Sequence, residues 1–375
     1  MELIFKIICI YILRMLTRLA YLIPLKRNKV LFISYLGKQY SCNPKAISEV
    51  MAEFNQFHRV WVFRNPDKYS FLRKQEVDLI QYGSLRYYIA LMTYEYIITN
   101  SDLPSWISHR STQHLIHTWH GGGAYKKVSR DYDSKYQQVI NKLCSNNMTL
   151  YLSGCKAFTK YLLRGAFEYK GKVLECGLPR NDVLLSGNKN VLRLKVFKYF
   201  SIPESERVLL WAPTFRVNGK GIEVNDFLVI KEALSKKFGG HWTVLFRRHH
   251  VLDNTFMPPG VIDASDYDDM QELLAAADVL LTDYSSCMWD FSLLKRPCFL
   301  YVPDLELYED SRGFYIDISK WPFPKSKTIS GLKRCIENFS LDDYTKAIIK
   351  HHEDLGSFEN GGASKTVVDY ILNNT

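Results

Sequence analysis

Ala277-Asp-Val-Leu-Leu-Thr-Asp-Tyr-Ser-Ser-Cys-Met-Trp-Asp-Phe291 is the stretch on which the fold turns. The apolar run from Ala277 to Leu281 reads as a buried strand ending at Thr282, and a helix begins near Ser285. A second apolar run, Pro297-Cys-Phe-Leu-Tyr-Val302, supplies the next strand. Strand, turn, helix, strand is the repeating unit of a parallel α/β sheet. Asp283, Ser285 and Ser286 occupy the turn. Two hydroxyls beside the unsatisfied N–H groups of a helix start suit a phosphate. The same residues also serve as an ordinary helix cap, so this segment alone leaves both readings open.

The alternation extends in both directions. Val30–Tyr35, Val60–Phe63, Leu79–Tyr82, Tyr96–Thr99, Leu115–Trp119, Leu150–Ser153 and Lys172–Cys176 form one series of short apolar runs. After a more polar stretch, Ser186 to Glu206, a second series follows with Val208–Ala212, Trp242–Phe246, Val279–Thr282 and Pro297–Val302. Helical patterns over 45–54, 226–237, 267–276 and 286–294 lie between them. Two Rossmann-like halves facing each other across a cleft is the architecture this implies. Ligands of such sheets bind beyond the carboxyl ends of the strands.

At 375 residues the chain is long for one core and natural for two domains. With 47% hydrophobic and 23% charged residues it is globular, not disordered. A formal net charge of +10 favours anionic partners. Nucleic acid is the least favoured of these, because no basic tail, RRM-like or zinc-finger pattern is present. The eight cysteines are scattered without a C-x-x-C pair, which points to a reducing compartment and away from disulfides or zinc. Residues 1–23 are apolar, but Glu2, Lys6, Arg14 and Arg18 interrupt them four or eight positions apart. No uncharged run there is long enough to span a bilayer. On a helix these four residues form one narrow polar stripe, and Lys26, Arg27 and Lys29 follow Pro24. That pattern describes a helix lying in an anionic membrane surface, and is also compatible with packing on the first domain. The expected division is a membrane-association helix at 1–28, a first Rossmann-like domain at 29–190 and a second at 200–375.

Polar motifs sit at the predicted strand ends. His117-Thr-Trp-His-Gly-Gly-Gly-Ala-Tyr-Lys-Lys127 closes one strand. Gly121, Gly122 and Gly123 let backbone N–H groups approach an anion, and His120 stands where a general base would take a hydroxyl proton. Lys126 and Lys127 can neutralise phosphate; a glycine turn beside a buried histidine is the plainer alternative. The HGGG run also resembles an esterase oxyanion loop, but the Gly-x-Ser-x-Gly elbow that such an enzyme needs is absent. Arg180 in Gly177-Leu-Pro-Arg-Asn-Asp182 offers a planar fork to a phosphate or carboxylate, or forms a structural ion pair. Thr214 and Arg216 follow the first strand of the second half. Arg247, Arg248, His249 and His250 follow the next strand as a dense cationic cluster suited to a pyrophosphate. Asp266, Asp268 and Asp269 read as a helix N-terminal run, and no carboxylate or histidine spacing points to a metal.

In order along the chain, Gly37–Lys45, Trp119-His-Gly121, Gly177–Asp182, Ala212–Arg216, Arg247-Arg-His249, Thr282–Ser286 with Asp290-Phe291, Asp304-Leu-Glu306, Arg312–Tyr315 and Gly362-Ala-Ser364 resemble the CDP-glycerol glycerophosphotransferase family of teichoic-acid and related polymer enzymes. The resemblance implies a GT-B-like α/β fold, attachment to the cytoplasmic side of the membrane and transfer of glycerol phosphate from CDP-glycerol. It implies His120 as the base, with Arg247, His249, Ser285 and Ser286 as the pyrophosphate site. His249 is thus a second catalytic candidate. Asp283, Thr214, Arg216, Arg180, Gly121 and Lys126 complete the expected substrate-binding set. The implied partners are CDP-glycerol as donor, a lipid-linked saccharide or polymer as acceptor and an anionic membrane surface, with no nucleic acid and no further cofactor. Many polymerases of the family carry Thr-Pro-Leu after the His-Gly pair; this chain has Gly122-Gly-Ala-Tyr125, which leaves the acceptor open. A CDP-ribitol-dependent transferase or a glycosyltransferase on the same fold is the alternative within enzymes. A non-catalytic membrane-peripheral binding protein is the alternative outside them.

Overall fold

A computed structural model describes residues 2–131, 134–187, 189–214, 227–248 and 259–374. The chain divides into two compact units, Met1–His120 with Val128–Asp182 and Phe358–Thr375, and Gly121–Lys127 with Val183–Ser357.

The first unit is built on a parallel sheet of strands β1 (Lys26–Ile33), β2 (His58–Phe63), β3 (Asp78–Gln81), β4 (Tyr94–Thr99), β5 (His114–His117), β6 (Leu150–Ser153) and β7 (Lys172–Glu175), in the order β3-β2-β1-β4-β5-β6-β7. The strands read as unbroken apolar runs because a parallel sheet is covered on both faces: Val30, Leu31, Phe32 and Ile33 of β1 are all buried. On one face Trp61 stacks between Phe32 and Phe63, each ring centroid 5.5 Å away. That face also receives Ile47 and Met51 of the helix Cys42–Met51, and Val367, Val368 and Ile371 of the C-terminal helix Ala363–Leu372. Residues 358–375 therefore belong to the first unit, not to the second where the sequence pattern put them. The physical reason is the apolar face of that last helix, each of whose buried aliphatic side chains is worth about 1.5–3 kcal/mol. Asp182 fixes its start by accepting the N–H groups of Ala363 and Ser364.

The N-terminal helix Glu2–Thr17 is present, and Arg14 of its polar stripe turns towards its own unit. Arg14 donates to the carbonyls of Ser105 and Ile107 and to Asn147 Oδ1, and Lys6 lies over the ring of Tyr136. Arg110 in turn donates to the carbonyls of Ala20 and Ile23, just beyond the helix. The apolar side chains Phe5, Ile12, Met15, Leu16, Leu19 and Leu22 are left exposed. No helix among the described residues is long and apolar enough to cross a membrane.

The second unit repeats the plan with β8 (Arg207–Trp211), β9 (Trp242–Phe246), β10 (Ile262–Asp263), β11 (Val279–Thr282), β12 (Cys298–Tyr301) and β13 (Lys325–Ser326), all parallel in the order β10-β9-β8-β11-β12-β13. In both sheets the order reverses beside the first strand, between β1 and β4 and between β8 and β11. Those are the points at which α/β sheets bind ligands. The long helix Leu341–Leu355 ends at Gly356, whose φ of 63° is the left-handed turn that stops a helix without a Cβ penalty. Near its end, His351 accepts or donates a 2.9 Å hydrogen bond with Tyr125 Oη, and His352 a 2.6 Å bond with Ser292 Oγ.

Burial pushes His351 and His352 down to about 4, and burial beside Arg14 does the same to His109. In the unfolded chain each takes up a proton near pH 6.5. Between about pH 6.5 and 4 the unfolded state therefore binds more protons, so stability is full above that window and falls as the pH drops through it. Each histidine contributes up to about 1.4 kcal/mol per pH unit. Thermal melts should show Tm falling from pH 7.5 to pH 5, with a shallower fall in His352→Gln. A Tm that holds steady across that range contradicts this reading.

Candidate active site

The carboxyl edge of the first sheet is organised around Asn100, the residue after β4, which is fully buried. Its Oδ1 accepts the N–H of Tyr35 at 2.8 Å, and its Nδ2 donates to Ser34 Oγ at 3.2 Å. One side chain thus ties the end of β4 to the loop leaving β1. The carbonyl of the same residue lies 2.9 Å from His120 Nδ1. A carbonyl oxygen can only accept, so Nδ1 carries the proton and, in the neutral ring, the lone pair is on Nε2. His120 is exposed, and its ring stacks on Trp119 with centroids 4.6 Å apart. A strand end has placed a histidine in the tautomer that a general base requires.

The backbone around it is strained. Trp119 has φ of 54°, and Tyr35, Leu36 and Cys42 are left-handed as well, at 45°, 55° and 64°. Each costs a residue with a Cβ about 1–2 kcal/mol. Asn43, fully buried, restrains this cluster: its Nδ2 donates to the carbonyls of Thr118 and Trp119 at 3.1 and 3.0 Å, and its Oδ1 accepts the N–H of Arg180 at 3.0 Å. His117 Nδ1 accepts the Trp119 N–H at 3.1 Å while its ring stacks on Tyr151. Arg180 is only 4% exposed and its guanidinium lies beside Cys42 Sγ, within the loop cluster and not on its surface. The turn that carries Arg180 also anchors the C-terminal segment, Asn181 donating to Glu359 and Asp182 capping the last helix.

In the second unit the corresponding tie joins Asp283, after β11, to Thr214, after β8. The Asp283 carboxylate, 1% exposed, accepts Thr214 N–H at 2.9 Å, Thr214 Oγ1 at 2.8 Å and Tyr284 N–H at 2.6 Å. Asp283 therefore holds two strand-end loops together. Thr282 Oγ1 adds a bond to the Ala212 carbonyl at 2.7 Å. Ser285 and Ser286 follow, partly exposed, ahead of the short helix Cys287–Ser292; Ser285 Oγ accepts the Cys287 N–H at 3.4 Å. Arg247 leaves β9 half-buried and donates to the carbonyls of Tyr267 and Asp268. Arg248 pairs with Asp263. Burial would raise the Asp263 pKa, but the hydrogen bonds of Ser265 and the charge of Arg248 together lower it. Gly121 opens the short segment 121–127 of this unit, in which Lys126 bridges to Phe314 and Arg312 donates to the Lys127 carbonyl. Asp304 accepts from Tyr284 Oη, and Glu306 pairs with Lys327. Arg216 and His249 lie outside the described residues.

The sequence motifs do not single out Asn43 or Asn100. For Asn100 a signal was present, a polar residue directly after a buried strand; Asn43 carries no such mark. Among the described residues no group of three or more histidine, cysteine, aspartate or glutamate side chains is arranged to hold a metal ion.

Residues 15–373 match the family model described as CDP-Glycerol:Poly(glycerophosphate) glycerophosphotransferase. A teichoic acid poly(glycerol phosphate) polymerase of Bacillus spizizenii is 32% identical over 95% of this chain and 94% of its own length. The chain spans about half the length of two further polymerases of that name. A teichoic acid glycerol-phosphate transferase of Staphylococcus aureus is 29% identical over 92% of this chain and 93% of its own. Among solved structures, a variant of the wall teichoic acid polymerase TagF soaked with CDPG superposes with a TM-score of 0.81 and 27% identity, over 93% of this chain and 90% of that one. That likeness covers both sheets and confirms the GT-B-like α/β fold class.

Asn43 provides a test of the architecture alone. Asn43→Ala removes three hydrogen bonds in a buried site and should cost about 2–4 kcal/mol in denaturant unfolding. Asn43→Asp should cost more, because it turns a carboxylate oxygen towards two carbonyls that need a donor. An aspartate variant as stable as the wild type contradicts the assigned hydrogen bonds.

Proposed function

The chain belongs to the CDP-glycerol:poly(glycerophosphate) glycerophosphotransferase family, and on that footing we propose that it transfers glycerol phosphate from CDP-glycerol to a hydroxyl of a lipid-linked cell-envelope acceptor, releasing CMP, in teichoic-acid or capsule-type polymer synthesis. His120 Nε2 takes the proton of the acceptor hydroxyl. The oxygen attacks the phosphorus that bears glycerol, the bond to the bridging oxygen breaks, and CMP leaves with the electron pair. Arg247, Ser285 and Ser286 are the groups we assign to the pyrophosphate, where positive charge and hydroxyl donors offset the charge growing on the leaving phosphate. Arg216 and His249 are assigned there on the family resemblance. Asp283 and Thr214 shape that loop pair by binding each other. Donor and acceptor roles for the second and first units follow from this assignment.

The observation that carries the proposal is the hydrogen bond from His120 Nδ1 to the Asn100 carbonyl. A merely structural histidine has no need of a fixed tautomer at an exposed strand end, and a non-catalytic binding protein has no need of the strain stored at Trp119.

We further place the protein at the cytoplasmic face of the cell membrane as a peripheral protein. What supports this is the helix Glu2–Thr17, which turns Arg14 inward and leaves Phe5, Met15 and Leu16 respectively 67%, 69% and 56% exposed. An apolar row of this kind suits burial in the headgroup boundary, with the neighbouring basic residues adding attraction to anionic lipid.

Two experiments test these statements. Purified protein should release CMP from CDP-glycerol only when a lipid-linked acceptor is present, and faster than it releases nucleotide from CDP-ribitol or a nucleotide sugar. His120→Ala should lower kcat by about 10²–10⁴ with donor KM nearly unchanged. Wild-type turnover in that variant, or a preference for another donor, overturns the assignment. Separately, Phe5→Ser/Met15→Ser/Leu16→Ser should abolish co-sedimentation with anionic vesicles without lowering Tm, since these side chains are exposed. An unchanged vesicle-bound fraction contradicts the membrane reading.

A further inference from the structure

His120 is the last residue of the first unit before the chain enters the segment Gly121–Lys127, which belongs to the second. That segment is a strap held along its length. Its far end pairs with the stretch after Arg312: Lys127 N–H donates to the Gly313 carbonyl at 3.2 Å and Tyr315 N–H to the Tyr125 carbonyl at 2.9 Å. The Tyr125 ring packs edge-on against Trp321, and its hydroxyl bonds to His351. Its near end rests on Trp289. A Cβ built at Gly122 would lie 2.1 Å from Trp289 Cδ1 and 2.6 Å from Cγ, far inside van der Waals contact. Trp289 cannot give way: it is fully buried, and its ring lies 4.3 Å from that of His352. The Ser292 hydroxyl, bonded to His352, also donates to the Trp289 carbonyl. Trp289 belongs to the helix Cys287–Ser292, which begins immediately after Ser285 and Ser286.

We infer that Gly122 is a positioning residue for the transfer reaction: its bare Cα lets the strap lie flush on the Trp289 indole, which fixes Gly121, the residue bonded to the base, against the helix that follows Ser285 and Ser286. The inference rests on the reading of His120 as the base. The requirement at 122 is one of space and not of backbone conformation, because Gly122, unlike Gly123 with φ of 63°, lies outside the left-handed region. Alanine is therefore acceptable to the backbone there and forbidden only by the indole. The indole and the glycine form a matched pair, and shrinking one side chain makes room for the other.

The test is a double-mutant cycle on the full chain, reading CMP release from CDP-glycerol with a lipid-linked acceptor, together with thermal melts. Gly122→Ala should lower kcat by about tenfold or more, as expected when a base is displaced by a fraction of an ångström to an ångström. KM for CDP-glycerol should stay within about twofold, and the pH profile of kcat/KM should keep its wild-type form, because the base is moved but not changed. Trp289→Leu should cost stability through the cavity it leaves. Gly122→Ala/Trp289→Leu should turn over faster than Gly122→Ala and within about threefold of Trp289→Leu, a positive coupling that a general loss of folding does not produce. Wild-type kcat in Gly122→Ala overturns the inference, as does a double variant no faster than Gly122→Ala while melting like Trp289→Leu. If Gly122→Ala yields no folded protein, a folded and active double variant supports the matched pair, and a double variant without rescue overturns it. A wild-type chain that releases no CMP, with His120→Ala indistinguishable from it, is a failure of the functional reading itself and takes the inference with it.

Discussion

In each sheet a buried polar side chain after one central strand accepts the backbone N–H of the loop that leaves its neighbour. Asn100 does so for Tyr35 where β4 lies beside β1, and Asp283 for Thr214 where β11 lies beside β8. The constraint comes from the sheet. Where strand order reverses, the crossover helices leave in opposite directions, and the loops between have backbone groups that the ladder does not pair. Leaving one such donor unsatisfied in a buried site costs about 1–3 kcal/mol, so a fixed acceptor there both stabilises the loops and sets their course. In the first unit the same residue uses its own carbonyl to orient His120. The tautomer of His120 is thus a consequence of how the two central strands are tied.

The strands could be read from the sequence because parallel sheets bury both faces, which leaves unbroken apolar runs such as Val30–Ile33 and Val279–Thr282. Ile262–Asp263 and Lys325–Ser326 escaped notice, since two residues carry no periodicity. The last helix could not be assigned to its sheet. An apolar stripe reveals that a helix packs, not against which core, and only the Asp182 cap and the contacts of Val367, Val368 and Ile371 decide it. The N-terminal helix illustrates the same ambiguity from the other side. The stripe containing Lys6 and Arg14 was legible, but which face meets protein was not, because long basic side chains can bind carbonyls as well as lipid headgroups.

The candidate site was legible at strand ends and obscure where its contacts are distant in sequence. His120, Thr214, Arg247, Ser285 and Ser286 all follow a strand directly or within a few residues. Asn43 lies in the first turn of the helix Cys42–Met51 and reaches Thr118 and Trp119, 75 and 76 positions away, a relation that no local pattern encodes. The run Gly122-Gly-Ala-Tyr125, which departs from the Thr-Pro-Leu of many family polymerases, acquires a physical cause in Trp289: a threonine at 122 has no room beside that indole.

The most direct measurement of the central claim is the 15N spectrum of histidine-labelled protein, with the His120 signals identified from their loss in His120→Gln. At a pH where the ring is neutral, the Asn100 carbonyl should hold the proton on Nδ1, giving a protonated-type Nδ1 shift and an imine-type Nε2 shift. An Nε2–H ring, or rapid averaging between the two tautomers, would contradict the account.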